Sequence, residues 1–402
     1  MQITFLLTQS LESPSGLGRY WPLAKELAKR GHTVHIVALH HHWASLKKKA
    51  WICNGVHIHY VAQMHVKKVG SNKAYFKPYQ LIWILLVATL KLTWGVFKTK
   101  ANIIHVGKPH PMNSIAAWIY KIAKGVPLYL DCDDYEAASN RFSSERQRRL
   151  MKWFEDHLPL WADLVTVNTY FTRQRLINLG CRPERVIYLP NGVDRERFAN
   201  FSLAKVKQLR DKFNLQQKKV ILYVGSLSLT SHNVDLLVKA FARVAACFDD
   251  VRLMLVGGGE DRELLVALAH QLNLGDKVIH VGKVDSAEIP NYYKLAYLSV
   301  DPVVDSGAAR GRSPLKIFES FAMGVPIVTG DVGDRRAILH DAAYGFLTQP
   351  GNVDSLADTL IDALSDQKRI DDMRKKILTE REQSKIYWDL LVDEFAKVYV
   401  DK

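Results

Sequence analysis

Short apolar runs alternate with longer amphipathic segments along most of the chain, which predicts parallel strands joined by crossover helices. In the first half, apolar runs at 3–8, 33–39, 56–61, 103–106, 127–130, 164–168 and 186–189 are predicted strands. In the second half, the corresponding runs are 220–224, 252–256, 278–281, 298–302, 325–329 and 345–347. We therefore expect an α/β protein with two doubly wound parallel sheets.

A turn cluster, Pro190-Asn191-Gly192-Val193-Asp194, interrupts the alternation near the middle of the chain. A chain of 402 residues is too long for one ordinary core. We predict a first domain over 1–190, a second over 191–380, and a closing helical segment over 381–402 that crosses back to the first domain.

The stretch 305–331 combines a small basic loop, a helix opened by Pro314 and a short apolar strand. Loops and helix N-termini of this kind bind anions through exposed backbone N–H groups and the positive end of the helix dipole. Lys316 falls in the first helical turn, where a cation is unfavourable unless an anion is bound there. The alternative is an ordinary solvated surface lysine.

The net charge of +14 and the pI near 9.4 favour an anionic partner. The basic residues are dispersed and form no recognised nucleic-acid module, so we expect no nucleic-acid partner. No G-x-G-x-x-G follows a predicted strand, which disfavours a dinucleotide-dependent oxidoreductase. The four cysteines are scattered and form no C-x-x-C pair, which favours reduced thiols, a cytoplasmic setting and no structural zinc.

The strongest apolar stretch, residues 78–97, contains Trp83 and Trp94 and is interrupted by Lys91. A membrane span needs about 20 apolar residues. Three interpretations stay open: a buried helix under a sheet, a helix in a membrane interface, and a true span. Nearby Lys67, Lys77, Lys98 and Lys100 favour an anionic membrane surface as a further partner, with peripheral location on its inner face.

Several motifs, in their order and spacing, resemble the GT4 family of retaining glycosyltransferases, which have the GT-B fold. These motifs are S-G-L-G-R-Y, L-P-N-G-V-D-R-E-R-F, L-V-G-G-G-E and S-P-L-K-I-F-E-S-F-A-M-G-V-P-I-V. The resemblance covers nearly the whole chain. It implies two Rossmann-like domains facing each other across a cleft, with the acceptor on the first and a UDP- or GDP-linked sugar on the second. It implies sugar transfer to an acceptor hydroxyl of a glycan or lipid-linked acceptor, in polysaccharide or glycolipid assembly.

The chain departs from the family pattern at three places. Glu319 matches the second of two family glutamates, which contacts the donor ribose, but the first falls at Gly311. The arginine and lysine that hold the diphosphate fall near Ser226 and at His232. A catalytic histidine found in several members falls at Asp133, whose alternative role is that of a helix N-cap or loop-ordering ion pair.

Site residues follow from the motifs and the resemblance together. The predicted catalytic residues are Asp133, Lys316 and Glu319. The predicted acceptor contacts are Arg19 and Asp134. The predicted donor contacts, besides Lys316 and Glu319, are Gly16, Gly18, Gly225, Ser226, His232, Gly282, Lys283, Val284, Arg312, Ser313, Pro314 and Leu315.

We expect no metal and no cofactor beyond the nucleotide-sugar co-substrate. Asp131 and Asp133 have D-x-D spacing, but magnesium there would need the donor phosphates nearby. The cluster His40-His41-His42 suggests a metal at first sight, although solvated loop histidines or acceptor contacts explain it as well. The missing first glutamate motivates an alternative function: a catalytically weak GT-B protein that binds a nucleotide or a partner.

Overall fold

The computed structural model describes residues 1–69, 72–139, 142 and 144–396. The chain divides into two compact units. The first comprises residues 1–192, 310–313 and the segment from 388 onward, and the second comprises residues 193–309 and 314–387.

The first unit is built on an eight-stranded sheet with the order β10-β9-β8-β7-β1-β2-β4-β3. Its pairs are parallel except β3 with β4. The strands are β1 Gln2–Leu7, β2 Thr33–His40, β3 Ala50–Cys53, β4 Val56–Gln63, β7 Ile103–Gly107, β8 Leu128–Cys132, β9 Leu164–Val167 and β10 Val186–Tyr188. A separate antiparallel hairpin consists of β5 Val66–Val69 and β6 Asn72–Tyr75.

Helices cover both faces of this sheet, since residues of β1 belong to two hydrophobic clusters. The helices are α1 Trp21–Lys29, α2 Pro78–Thr99, α3 Pro111–Lys124, α4 Glu136–Ser139, α5 Glu145–Trp161, α6 Tyr170–Asn178 and, near the C-terminus, α18 Trp388–Phe395. Helix α18 packs on α1, where the Trp388 indole donates a hydrogen bond of 2.9 Å to the Gly18 carbonyl.

The second unit has a six-stranded, fully parallel sheet with the order β13-β12-β11-β14-β15-β16. Its strands are β11 Lys219–Val224, β12 Val251–Val256, β13 Val278–Gly282, β14 Leu298–Asp301, β15 Ile327–Gly330 and β16 Gly345–Thr348. Crossover connections place the carboxyl ends of all six strands at one edge, where α/β folds bind ligands.

The helices of the second unit surround one large hydrophobic core. They are α7 Arg195–Ala199, α8 Leu203–Lys212, α9 Leu229–His232, α10 Val234–Cys247, α11 Arg262–Gln271, α12 Ile289–Leu295, α13 Gly307–Arg310, α14 Leu315–Ala322, α15 Arg335–Ile338, α16 Val353–Ser365 and α17 Gln367–Glu380. Helix α13 runs across the boundary into residue 310 of the first unit.

The predicted α/β class with two parallel Rossmann-type sheets is confirmed. The sequence pattern missed β3 and the β5–β6 hairpin, whose strands are only four residues long. It also described residues 198–218 only as a polar segment, although most of them lie in α7 and α8. The predicted closing segment 381–402 contains α18, and its residues 397–402 lie outside the described part of the chain.

Candidate functional site

In the second unit, two glycine loops meet at the carboxyl ends of β11 and β12. Gly225 and Gly257 have φ angles of +152° and +146°, which side-chain-bearing residues rarely adopt. A Cβ on Gly257 would lie 1.8 Å from the Gly225 carbonyl oxygen. A Cβ on Gly225 would lie 3.6 Å from Lys316 Cε. Glycine is therefore required for the close packing of these loops, and Lys316 lies directly beside them.

A buried charge cluster lies at the ends of β14 and β15. Asp301 Oδ1 lies 2.9 Å from Lys316 Nζ, and its Oδ2 lies 3.1 Å from the Arg335 guanidinium. The Thr329 hydroxyl donates a further hydrogen bond of 3.2 Å to Oδ2. Burial opposes ionisation of Asp301, but the two cations hold the pKa of this carboxyl below its usual range. Two cations share one carboxylate, so the cluster carries a net positive charge.

Lys316 is not a solvated surface lysine, which rules out that alternative. Its side chain is only 10% exposed, and its ammonium lies 4.8 Å from the centroid of the Tyr223 ring. It stands in the first turn of α14, which begins after extended Pro314. The helix dipole and the cation add positive charge at the same place, an arrangement that favours an anionic ligand.

Glu319 lies one turn further along α14 and is held by two side chains. Arg197 Nη2 lies 3.3 Å from Oε1, and the Tyr293 hydroxyl donates a hydrogen bond of 3.2 Å to Oε2. Arg197 is itself fixed by donating to the Ser286 carbonyl at 3.3 Å. The carboxylate therefore has a defined orientation on the same face of α14 as Lys316.

The other predicted donor contacts in this unit lie on strand-end loops. The Ser226 carbonyl accepts a hydrogen bond of 2.8 Å from the Tyr223 hydroxyl. His232 ends the short helix α9, whose backbone closes on Ser228. Gly282 ends β13 with a φ of +84°, and its carbonyl accepts from the Gly257 N–H at 2.9 Å.

Three further predicted donor contacts differ in exposure. Lys283 is exposed, and Val284 packs partly against the core. Leu315 forms the first residue of α14 and is half-buried.

Arg312 and Ser313 group with the first unit instead. The Ser313 carbonyl accepts a hydrogen bond of 2.7 Å from the Asn191 amide, and Arg312 Nε lies 3.8 Å from Asp134 Oδ1. Lys316 belongs to the second unit. That Arg312 and Lys316 hold the same diphosphate stays a prediction.

In the first unit, Arg19 is fully committed to internal contacts. Its guanidinium pairs with both carboxylate oxygens of Asp131, at 2.7 and 2.6 Å. It also donates to the carbonyls of Leu189 and Pro190 and to the Asn191 side chain. Only 1% of Arg19 is exposed. The predicted acceptor contact is therefore corrected: Arg19 ties β8 to the segment that follows β10.

Next to the Arg19–Asp131 ion pair, Lys108 lies within a cluster of carboxylates. Lys108, just after β7, places Nζ 3.2 Å from Asp133 Oδ1, 3.0 Å from Asp134 and 2.5 Å from Glu136. His110 Nε2 lies 3.3 Å from the other Glu136 oxygen. The cluster follows β7 and β8, at the carboxyl edge of the first sheet.

Ionisation of Asp133 is opposed by its surroundings. Burial and the neighbouring carboxylates raise its pKa to about 7, against the opposing charge of Lys108. Burial works in the same direction at Glu136, but Lys108 and His110 outweigh it and hold the pKa of Glu136 below its usual range. Among the described residues, Asp133 Oδ1 has the Lys108 ion pair but no hydrogen bond of good geometry. Burial and the neighbouring carboxylates therefore favour the protonated form of Asp133.

The loop that follows β1 leads into α1 through a five-residue helical turn, Gly16–Tyr20. A Cβ on Gly16 would lie 2.2 Å from the Ser10 carbonyl, so the loop cannot accept a larger residue there without rearrangement. Gly18 is also buried, and its carbonyl accepts the Trp388 indole N–H. Both glycines are thus fixed in their positions by packing inside this unit.

Among the residues that the structure describes, two groups of side chains have metal-like spacing, and neither fits a metal well. Asp133, Asp134 and Glu136 converge, but the Lys108 ammonium already lies among their oxygens. Glu12, His40 and His41 also converge. His40 Nδ1 accepts the His42 backbone N–H at 3.0 Å, so a neutral His40 carries its proton on Nε2, the atom that faces Glu12. That nitrogen donates rather than ligates.

The sequence pattern missed several residues that complete these clusters, among them Lys108, Glu136, Asp301 and Arg335. A usable signal existed for Asp301 and Lys108, since a charged residue ends or directly follows an apolar strand in each case. No comparable signal pointed to Arg335, which is brought to Asp301 by the tertiary fold.

Glycine loops beside a net positive charge cluster at the carboxyl edge of the second sheet are typical of α/β proteins that bind anions. Comparisons with known proteins identify the family. The family described as "Glycosyl transferases group 1" matches residues 205–379. The family described as "Glycosyltransferase Family 4" matches residues 16–197. The two matches together cover most of the chain, which belongs to the GT4-type glycosyltransferases.

The chain is 30% identical, over 210 residues, to the GDP-mannose-dependent alpha-(1-6)-phosphatidylinositol monomannoside mannosyltransferase of Mycobacterium tuberculosis. The match covers 52% of this chain and 54% of that protein. The chain thus spans about half the length of the first curated relatives it matches.

Solved structures share the fold at lower identity. Sucrose-phosphate synthase from Thermosynechococcus elongatus superposes with a TM-score of 0.79 at 18% identity, covering 100% of this chain and 99% of that one. Anabaena HepE in complex with UDP and glucose gives a TM-score of 0.74 at 18% identity, with both chains fully covered. These likenesses confirm the GT-B type of fold.

Proposed function

We propose that this protein is a retaining glycosyltransferase that moves a sugar from a UDP- or GDP-linked donor to an acceptor hydroxyl, in polysaccharide or glycolipid assembly. Its membership of the glycosyltransferase family supports the reaction class. The observation that carries the donor site is the buried surplus of positive charge at Asp301, Lys316 and Arg335, beside the glycine loops. A diphosphate supplies the anion that such a cluster lacks.

In this proposal Lys316 and the N-terminus of α14 stabilise the charge that builds on the leaving diphosphate. Glu319, held by Tyr293 and Arg197, accepts the ribose hydroxyls. The backbone of residues 282–284 contacts the base. UDP bound to HepE and the GDP-mannose of the mycobacterial relative support a nucleotide-sugar donor and leave both bases open.

Asp133 is proposed to contact the transferring sugar. Its protonated form donates a hydrogen bond to a sugar hydroxyl, and its ionised form stabilises positive charge at the anomeric carbon. A pKa near 7 makes both forms available at neutral pH. As the bond from the anomeric carbon to the phosphate oxygen breaks, a bond to the acceptor oxygen forms on the same face. The acceptor proton passes to the leaving phosphate, so neither a protein base nor a metal is needed.

The acceptor is proposed to be a glycan or a lipid-linked molecule, with Asp134 among its contacts. The mycobacterial relative is named for a phosphatidylinositol monomannoside, which supports a lipid. Such an acceptor fits a cytoplasmic enzyme held on the inner face of a membrane.

A second candidate is a family member with little or no catalysis that binds a nucleotide or a partner protein. Gly311, at the position of the first family glutamate, is the observation that favours it. The two candidates differ in one result: both can bind a nucleotide, but only the enzyme transfers sugar from a nucleotide-sugar donor to an acceptor.

The test is incubation of the purified protein with a panel of UDP- and GDP-sugars, with and without membrane lipid extract, followed by mass spectrometry. We expect donor-dependent glycosylation of a lipid or glycan, or slow donor hydrolysis without acceptor. Absence of both, together with no thermal shift by UDP or GDP, would refute the proposal.

A further inference from the structure

Helix α2 presents an apolar face to solvent. Six of its large side chains are between 56% and 70% exposed: Tyr79, Ile82, Trp83, Leu86, Leu90 and Trp94. They follow the helical period along one side. A helix at a protein surface normally presents polar side chains to water. An exposed apolar face of this size indicates an interaction surface for another molecule.

The neighbouring helices α3 and α5 extend the same surface. Helix α2 packs on α3, and α3 packs on α5. Ring centroids of Trp118 and Trp161 lie 6.4 Å apart, and those of Trp153 and Trp161 lie 5.7 Å apart. Together with the six side chains of α2, the three-helix face consists of Ile115, Trp118, Ile119, Ile122, Leu150, Trp153, Leu160 and Trp161, all exposed.

The charges on this face are almost all positive. Neither α2 nor α3 contains an aspartate or glutamate. Exposed lysines and arginines on these three helices include Lys91, Lys98, Lys124, Arg146 and Arg149.

The acidic residues of α5 offer this face little negative charge. Glu145 pairs with Arg148 and Arg149, and Glu155 is buried. Asp156 is held by Lys152 and Arg175. The three-helix face therefore combines apolar and cationic groups without an acidic complement.

Helix α2 is long and apolar enough to cross a membrane by length and composition alone. In the folded unit, however, Ala88, Leu92 and Val96 on its other side are fully buried in the core under the sheet. A helix with one side in the protein core lies along a surface and does not pass through a bilayer. The buried-helix interpretation is thus right for one side of α2 and wrong for the other.

This face could contact a second copy of the chain or a membrane, and charge and composition distinguish these two. A second copy docked on the same face would set lysine and arginine against lysine and arginine, because a two-fold interface uses one patch twice. An anionic bilayer offers phosphates to the cations and an apolar layer to the rings. Five of the nine tryptophans of the chain lie on this face, and tryptophan favours the membrane–water interface.

We infer that the three-helix face docks flat on a bilayer containing anionic lipid, with its aromatic side chains in the headgroup region. This inference deepens the proposed function, because it names the surface that would bring the first unit to a lipid-linked acceptor. Binding itself needs neither donor nor catalysis.

The test is vesicle flotation of the full-length protein with phosphatidylcholine alone and with phosphatidylcholine mixed with phosphatidylglycerol. We expect binding to the anionic vesicles that weakens as salt rises. Replacing Trp83 and Trp94 together with serine should reduce binding about tenfold or more, since each ring loses its apolar contact. The matched control is Leu203→Ser with Leu264→Ser, two exposed apolar residues of the second unit, which should leave binding unchanged.

Three outcomes would overturn the inference: no flotation with anionic vesicles at low salt, equal binding to both vesicle types, or a dimer in solution that the Trp83 and Trp94 replacements abolish. A parallel UDP and GDP binding assay separates the two proposals. Nucleotide binding without flotation contradicts the docking surface alone, and flotation without nucleotide binding contradicts the glycosyltransferase proposal alone.

Discussion

Replacing Lys316 with methionine removes one of the two cations that share the Asp301 carboxylate while keeping most of the side-chain volume. At 2.9 Å the attraction between Lys316 and Asp301 is about 6 kcal/mol for an effective dielectric constant near 20. Much of this is offset by the cost of burying the lysine. Asp301 keeps Arg335 and Thr329 as partners, so its charge does not become isolated. We expect a loss of about 1–3 kcal/mol in unfolding free energy, less than for a buried pair left with one charge.

The same replacement should also weaken nucleotide binding. A hydrogen bond to a charged group contributes about 1.5–3 kcal/mol. Loss of such a contact to the diphosphate would weaken binding about tenfold to one hundredfold. The loss should be similar for UDP and GDP and much smaller for uridine and guanosine, because Lys316 contacts phosphate and not the base.

Isothermal titration calorimetry on the folded variant measures this directly. The matched control is Lys239→Met, which removes an exposed lysine paired at 2.8 Å with Asp235 on α10. That change should alter unfolding free energy by about 0.5 kcal/mol or less and leave nucleotide affinity unchanged. If Lys316→Met binds UDP and GDP as tightly as the wild type does, the diphosphate site lies elsewhere.

Three further predictions concern other parts of the site. Arg197→Gln should weaken binding of UDP about tenfold but change binding of the 2′-deoxy analogue little, because Arg197 positions the ribose-binding Glu319; equal losses for both ligands would contradict this. The pKa of Asp133 is raised to about 7 from a usual value of 3.8, so the folded state loses stability as pH rises between these values. In thermal denaturation, Asp133→Asn should therefore become more stable relative to the wild type as pH rises from about 4 to about 7, and a constant difference in Tm would refute the assignment. Gly257→Ala should cost about 2–4 kcal/mol in urea unfolding, because its Cβ would lie 1.8 Å from a carbonyl oxygen. Gly31→Ala, where φ is +83° but no neighbour lies within 4 Å, should cost only about 1 kcal/mol; equal costs would show that steric overlap is not the cause.

The architecture was predictable because strand and helix periodicities are local properties of the sequence. The run at 298–302 reads as a buried strand, and Pro314 favours the start of a helix because its fixed φ suits the first turn. The β5–β6 hairpin and β3 escaped because strands of four residues are too short to show a clear alternation. They form through pairing with partners that the local pattern does not specify.

The site was less predictable because its charged residues pair with partners that are distant in the sequence. Glu319 and Lys316 could be named from one helix, but Tyr293 and Arg335 come from other elements. For Arg19, position in a glycine loop suggested an exposed contact. Its partner Asp131 lies 112 residues away in sequence, and only the fold shows that the pair is buried.

The central claim is transfer of a sugar from a nucleoside diphosphate donor with retention of anomeric configuration. The most direct test is proton NMR of the product formed from the active donor of the UDP- and GDP-sugar panel, read at the anomeric signal before mutarotation can occur. The account predicts an α-linked product from an α-linked donor, lost in the Lys316→Met variant. An inverted product, or no transfer from any donor by a protein that is folded, would contradict it.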